Sequence, residues 1–157
     1  MKKNAVKLFL ILFLGCFKLL AQTNKLPVPT KSFIEKVKHY NYSDEKYFAK
    51  YLGIKSEHAL EKFNDSKEVC SKEYEYKTGI KLKRSVCSES GSSVEIVFSK
   101  YPKTEVIKFV DWFFKTEYNT WNKAKTRYQP KEDGEPGCYL EIEESKNKIV
   151  LSYYCGC

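Results

Sequence analysis

The sequence has little of what most catalytic sites are built from. Its 157 residues include two histidines, His39 and His58. Neither belongs to a His-x3-His or His-Glu-x2-His spacing, which would put two imidazoles on one helical face for zinc. There is no Gly-x-Ser-x-Gly elbow to present a serine nucleophile, no glycine loop to cradle phosphate and no Asp-x-Asp calcium loop. Glu132, Asp133 and Glu135 bring carboxylates together, but in a loop where solvation accounts for them. These absences leave no template for a hydrolase, a nucleotide-binding enzyme or a metalloenzyme. The expectation is a non-catalytic chain without cofactor or metal.

The first 21 residues read as a cleaved signal peptide. Lys2, Lys3 and Lys7 form a positive n-region, Leu8 to Phe17 a short apolar stretch, and Ala21-Gln22 a cut site. That apolar stretch falls well short of the ~20 residues a membrane-spanning helix requires. The segment resembles the export leaders of Bacteroidetes-type envelope proteins, many of which end in Ala-Gln. The resemblance implies a periplasmic or extracellular destination. A lipoprotein attached through Cys16 is the competing reading, but Phe13 and Leu14 fit a lipidation motif poorly. The membrane is a partner only in that case.

Without the leader, the Lys and Arg count falls from 28 to 24 against 20 Asp and Glu, because Lys2, Lys3, Lys7 and Lys18 are lost. A surplus of that size supports solubility and does not select an acidic partner. Residues 22–157 are the length of one domain, and 12 Tyr, 2 Trp and the 7 Phe that remain once Phe9, Phe13 and Phe17 leave with the leader supply its core volume.

The pattern along the chain predicts an α+β domain. Short helices are expected over Lys31–His39, from Ser43 to Leu52 with Gly53 as its stop, and from Ser56 with Ala59, Leu60 and Phe63 inward. Ala49, Gly53, Ile54 and Ser56 faintly resemble a helix-turn-helix. A helix C-cap explains the same glycine, and an exported chain does not meet nucleic acid. Tyr74 and Tyr76 alternate with glutamates, Leu82 with lysines, around Thr78-Gly79. A three-residue loop there pairs Tyr74 with Leu82, Glu73 with Lys83 and Glu75 with Lys81. Val94, Ile96 and Phe98 mark a third strand. From Pro102 to about residue 118, Val106, Phe109, Val110 and Phe113 recur at helical spacing, so one long amphipathic helix is expected. At the end, a turn at Lys146-Asn147 pairs Cys138 with Cys155, Leu140 with Tyr153 and Ile142 with Leu151. The predicted order is ααα-βββ-α-ββ, a largely antiparallel five-stranded sheet under the long helix.

Five cysteines follow the leader. Spacing favours disulfides Cys70–Cys87 and Cys138–Cys155, each clasping a hairpin in an oxidising compartment. Cys157 is left over as a possible reactive thiol. A redox or metal-binding pair with Cys155, through Cys-Gly-Cys, is the alternative function; no adjoining helix N-terminus depresses a thiol pKa there. A second candidate surface is the strip Trp121, Lys123, Lys125, Arg127 and Tyr128, basic residues between aromatics. The function expected is a small disulfide-stapled envelope module binding a protein or a polysaccharide.

Overall fold

A computed structural model describes residues 24–38, 42–63, 67–87, 91–132 and 134–156. The leader with Cys16, and His39, Asp133 and Cys157, lie outside them. Among the described residues there are three helices, α1 (Lys31–Val37), α2 (Ser43–Leu52) and α3 (Lys103–Phe113). Eight strands accompany them: β1 (Ile54–Lys62), β2 (Val69–Tyr76), β3 (Lys81–Ser85), β4 (Gly91–Ser99), β5 (Asn119–Trp121), β6 (Arg127–Pro130), β7 (Gly137–Ser145) and β8 (Lys148–Gly156). They form one sheet in the order β1-β2-β3-β4-β8-β7-β6-β5, with antiparallel neighbours throughout. Two four-stranded meanders, each preceded by a helix, thus join through their last strands.

The five-stranded expectation is corrected to eight strands, and the order to αα-ββββ-α-ββββ. The third helix does not form. Ser56 to Lys62 instead pairs with β2 as an edge strand, Glu57 opposite Tyr74 and His58 opposite Glu73. The long helix is also shorter than predicted. It ends at Phe113, where Thr116 and Asn119 hydrogen-bond each other, Asn119 N–H donating to Thr116 Oγ1 at 3.2 Å. Such side chains offer the backbone an alternative to helix. Residues 119–130, which the predicted order left without a strand, form β5, a tight turn and β6. Asn122 Oδ1 closes that turn by accepting from the N–H groups of Thr126 (2.8 Å) and Arg127 (3.1 Å).

Both hairpins keep the register that one-sided burial demands. Tyr74 lies opposite Leu82 and Glu73 opposite Lys83, with Gly79 at φ 82° in the turn. Leu140 faces Tyr153, and Ile142 faces Leu151. Docking β4 on β8 carries the apolar row across the sheet as Leu82, Ile96, Leu151 and Ile142, all buried. Burying such side chains contributes about 1.5–3 kcal/mol each.

Helices α2 and α3 cover this face. Phe48 stacks on Phe109 with centroids 5.1 Å apart, and Tyr47 contacts Phe109 and Phe113. The lead-in chain is strapped across the same helices: Leu26 N–H donates to Glu105 (2.9 Å) and the Tyr47 hydroxyl to Pro27 O (2.6 Å). One polar cluster pins α2 to the strands. Arg84, on the helix-covered side of β3, donates to Asp44 (2.5 Å) and Glu45 in the first turn of α2, and Tyr153 donates to Asp44. The carboxylates sit at the positive end of the helix dipole, where it favours them.

Candidate functional site

The disulfides are Cys70–Cys87 and Cys138–Cys155, which points to a non-cytoplasmic, oxidising environment. No helix among the described residues is long and apolar enough to cross a membrane. Cys155 is bonded to Cys138, and Cys157, the other half of the Cys-Gly-Cys pair, lies outside the described residues. Glu61 brings a carboxylate near Cys70 and Cys87. Those two sulfurs are bonded to each other, and neither has a thiolate to give a metal.

The basic-aromatic strip is divided between β5, β6 and the turn that joins them. Trp121 packs on Tyr128 at 5.0 Å and donates through Nε1 to Asp111 at 3.0 Å. Tyr128 is buried, with its hydroxyl accepting from Thr116 N–H. Both aromatics therefore serve the core beside α3. Lys123 and Lys125 stay exposed in the turn, while Arg127, on β6, pairs with Glu141 at 3.1 Å. The sequence signal was basic residues between aromatics, which the structure distributes over two strands and the turn that joins them. His58 is exposed on β1 with Glu73 as its strand partner; Glu132 and Glu135 are exposed too.

What the structure does bring together is the other face of the sheet. Side chains alternate across a strand, so covering one face with helices leaves its complement in water. Register aligns Glu73, Lys83, Glu95, Ser152, Glu141 and Arg127 into one row across six strands. A neighbouring row carries Ser71, Ser85, Ser93, Tyr154 and Tyr139. At the sheet's centre small serines sit between longer side chains and leave a shallow hollow of about 430 Å³. Ser85, Ser93 and Ser152 form its floor; Lys83, Glu95 and Glu141 line it with charge; Tyr139 and Tyr154 line it with rings.

Glycine shapes the end of this hollow. Gly91, Gly156 and Gly137 lie side by side across β4, β8 and β7. A Cβ on Gly91 would fall 2.5 Å from Cys155 O and 2.9 Å from the Tyr154 hydroxyl. The bare backbone therefore lets the Tyr154 ring lean over β4. Tyr139 is tied down by donating to Glu135 O at 2.7 Å. Its partner across the strands is Tyr154, so the two rings flank a neutral, hydroxyl-rich floor between charges of both signs.

The strongest pKa perturbations lie on the covered face. Burial raises the Tyr153 hydroxyl well above its ordinary value, and the Asp44 charge adds to this. Burial also raises Glu45 against the pull of Arg84. Burial by itself would lower Arg84, but the charges of Asp44, Tyr153 and Glu45 overcome it. The effect is a guanidinium locked in its charged form under α2. No protein-family model, no curated protein and no solved structure matches the chain.

Proposed function

We propose that the chain is an exported, disulfide-stapled, non-catalytic binding module of the bacterial envelope, and that it grips a folded partner protein with the open face of its sheet. The observation carrying this reading is the face that no described helix covers, polar and hollowed at its centre. Eight strands spaced about 4.8 Å apart make it roughly 34 Å wide, and its central strands give some 20 Å of depth. That is on the order of 700 Å², close to the roughly 800 Å² each partner contributes to a standard protein–protein interface.

Charge supports a protein over a polyanion. Glu73, Lys83 and Glu95 alternate along their row, so a nucleic acid or acidic glycan would meet carboxylates as often as amines. Alternating charge instead suits a surface of matching pattern, which sets register and excludes wrong partners. The serine-floored hollow takes a protruding side chain, and Tyr139 and Tyr154 are the residue type on which interface energy concentrates. The meanders are each stapled, so the platform is rigid before binding and little ordering entropy is spent.

The test is site-specific photocrosslinking in the source cells' envelope. A crosslinker at Ser93 or Ser152 is expected to trap one discrete protein, with the product lost on Glu95→Arg. A crosslinker at Lys50, on α2, is expected to trap nothing discrete. Equal products from both faces, or attachment of the open face to glycan in place of protein, refute the reading.

A further inference from the structure

A second hollow lies on the helix-covered side of the sheet, where α2 begins, and it is independent of the open-face reading. It measures about 350 Å³, near the lower end of the roughly 300–1,000 Å³ typical of small-molecule sites. Val69, Val86 and Cys70 give it an apolar wall, Tyr42 and Tyr74 contribute rings, and Arg84, Lys72 and Glu45 supply the polar groups.

Arg84 is the informative residue, because it is 5% exposed and its hydrogen bonds are one-sided. Nε donates to Glu45, and Nη2 donates to Asp44 and, at 3.3 Å, to the Tyr153 hydroxyl. Nη1 takes no partner among the described residues. It is not sealed inside the core either, since the buried side-chain polar atom without a partner is the Tyr76 hydroxyl. The Nη1 end therefore opens on the hollow that Arg84 lines. Tyr42 lies over the guanidinium with its ring centroid 4.8 Å from Cζ, covering one side of it.

The charges around this opening decide what it accepts. Arg84 is neutralised by Asp44 and Glu45, and Lys72 is held by Glu57 at 2.8 Å. Two cations against three carboxylates disfavour an anion. Asp44 and Glu45 are also committed to Arg84, which leaves a cation no free partner. The Nη1 N–H groups face the hollow with no acceptor among the described residues, so a ligand oxygen can take them in place of solvent.

We propose that this hollow binds a small uncharged ligand with an amide or ketone carbonyl on a flat apolar body. The carbonyl oxygen accepts from Arg84 Nη1, and the body lies against Val69 and Val86 between Tyr42 and Tyr74. Cys70, bonded to Cys87, closes the floor as an apolar surface. Asp44 and Tyr153 hold the guanidinium from behind and orient its free end.

The test titrates the oxidised full chain with N-methylbenzamide, benzoate and toluene, following the Val69 and Val86 methyl resonances and the Arg84 side-chain N–H groups by NMR. The amide is expected to shift these signals and to bind about tenfold more tightly than toluene, the worth of one hydrogen bond near 1.4 kcal/mol. Benzoate is expected to bind more weakly than the amide. Arg84 also holds α2 in place, so the variant of choice is Val86→Trp, which fills the hollow and should abolish the shifts. Tyr42→Ala, at an exposed ring, should weaken binding several-fold and serves if the tryptophan variant does not fold. Absence of shifts with the amide, shifts undiminished in the variants, or benzoate binding as tightly as the amide would overturn the proposal.

Discussion

Removing the carboxylate of Asp44 should be the costliest single change where α2 meets the sheet. Asp44 is 1% exposed, accepts from Arg84 Nη2 at 2.5 Å and also from the Tyr153 hydroxyl. In Asp44→Ala the guanidinium stays behind, buried, with Glu45 as its remaining carboxylate. Stripping one partner from a buried ion pair costs about 3–5 kcal/mol. That is a large share of the roughly 5–15 kcal/mol that holds a domain together. Tyr153→Phe leaves the ion pair standing and loses a hydrogen bond to a charged group, so about 1.5–3 kcal/mol is expected. The two losses share a partner and should not add. Urea denaturation of the oxidised protein at neutral pH, followed by far-UV dichroism and by Trp112 and Trp121 fluorescence, measures all three variants. A decisive comparison is Asp44→Leu with Arg84→Met. Each variant of this comparison also carries Glu45→Gln, so that no carboxylate is stranded. Replacing both charges by apolar groups then removes the desolvation cost along with the attraction, and the double variant should recover at least half of the single-variant loss. An Asp44→Ala cost under about 1 kcal/mol, or a double variant as unstable as the sum of its singles, would refute the assignment of Asp44 and Arg84 as the pin between helix and sheet.

The remaining expectations concern the strap, the staples and the glycine row. Burial alone would raise the Glu105 carboxyl, but Lys108 at 2.7 Å and the Leu26 N–H outweigh it and hold the group below its ordinary 4.5. A carboxylate lowered in the folded state gives stability that is complete above 4.5 and is lost as pH falls through the lower folded value. Glu105→Gln should therefore flatten the acid limb of a stability-versus-pH curve, and an unchanged limb counts against the strap. Replacing Cys138 and Cys155 by serine opens a loop of sequence separation 17 and should cost about 3 kcal/mol in thermal or urea melts; a loss near zero would show that the hairpin needs no staple. Gly91→Ala forces a Cβ against Cys155 O at a φ of 147°. It should destabilise by about 1–3 kcal/mol, and a neutral result would place Tyr154 elsewhere than over β4.

Both hairpins were legible, one because two constraints coincided and the other because one constraint clearly outweighed its rival. In residues 138–155, cysteine spacing and apolar alternation select one register. In residues 70–87, burial of Tyr74 against Leu82 had to outweigh exact opposition of the cysteines, and the disulfide closes from just off the paired rows. The edge strand was opaque for an equally physical reason. Ser56 to Lys62 is rich in Glu, Ala, Leu and Lys, good helix formers. It is exposed on nearly every residue, so it carries no buried-face alternation to reveal a strand. Pairing with β2 overrides its propensity. Three register irregularities along β1 and a run of charged side chains then blunt it as a sheet edge. The span of α3 was overread because Phe114 and Tyr118 continue the aromatic spacing after the helix has stopped. The Thr116–Asn119 pair was the available stop signal.

The candidate surface was half visible for a related reason. Glu73 with Lys83 and Glu75 with Lys81 follow from one hairpin, and Glu141 with Ser152 from the other. Neither hairpin alone makes more than an ordinary solvated face. The surface exists because β4 pairs with β8, setting Glu95 beside Ser152 and Ser93 beside Tyr154. That pairing closes a loop spanning the whole of α3 and the second meander, so loop-closure entropy opposes it. What offsets the entropy is on the opposite face, where Ile96 meets Leu151 and Phe98 meets Ile149 beneath α2 and α3. The helices therefore act on the open face from behind, since their burial sets the β4–β8 register and with it every row of the outer surface. A one-residue slip would turn Ile96 outward and Glu95 into the core, which couples the integrity of the surface to packing around Phe109. A Phe109→Ala variant that remains folded should thus lose open-face crosslinking at Ser93 and Ser152 together, although it touches neither residue.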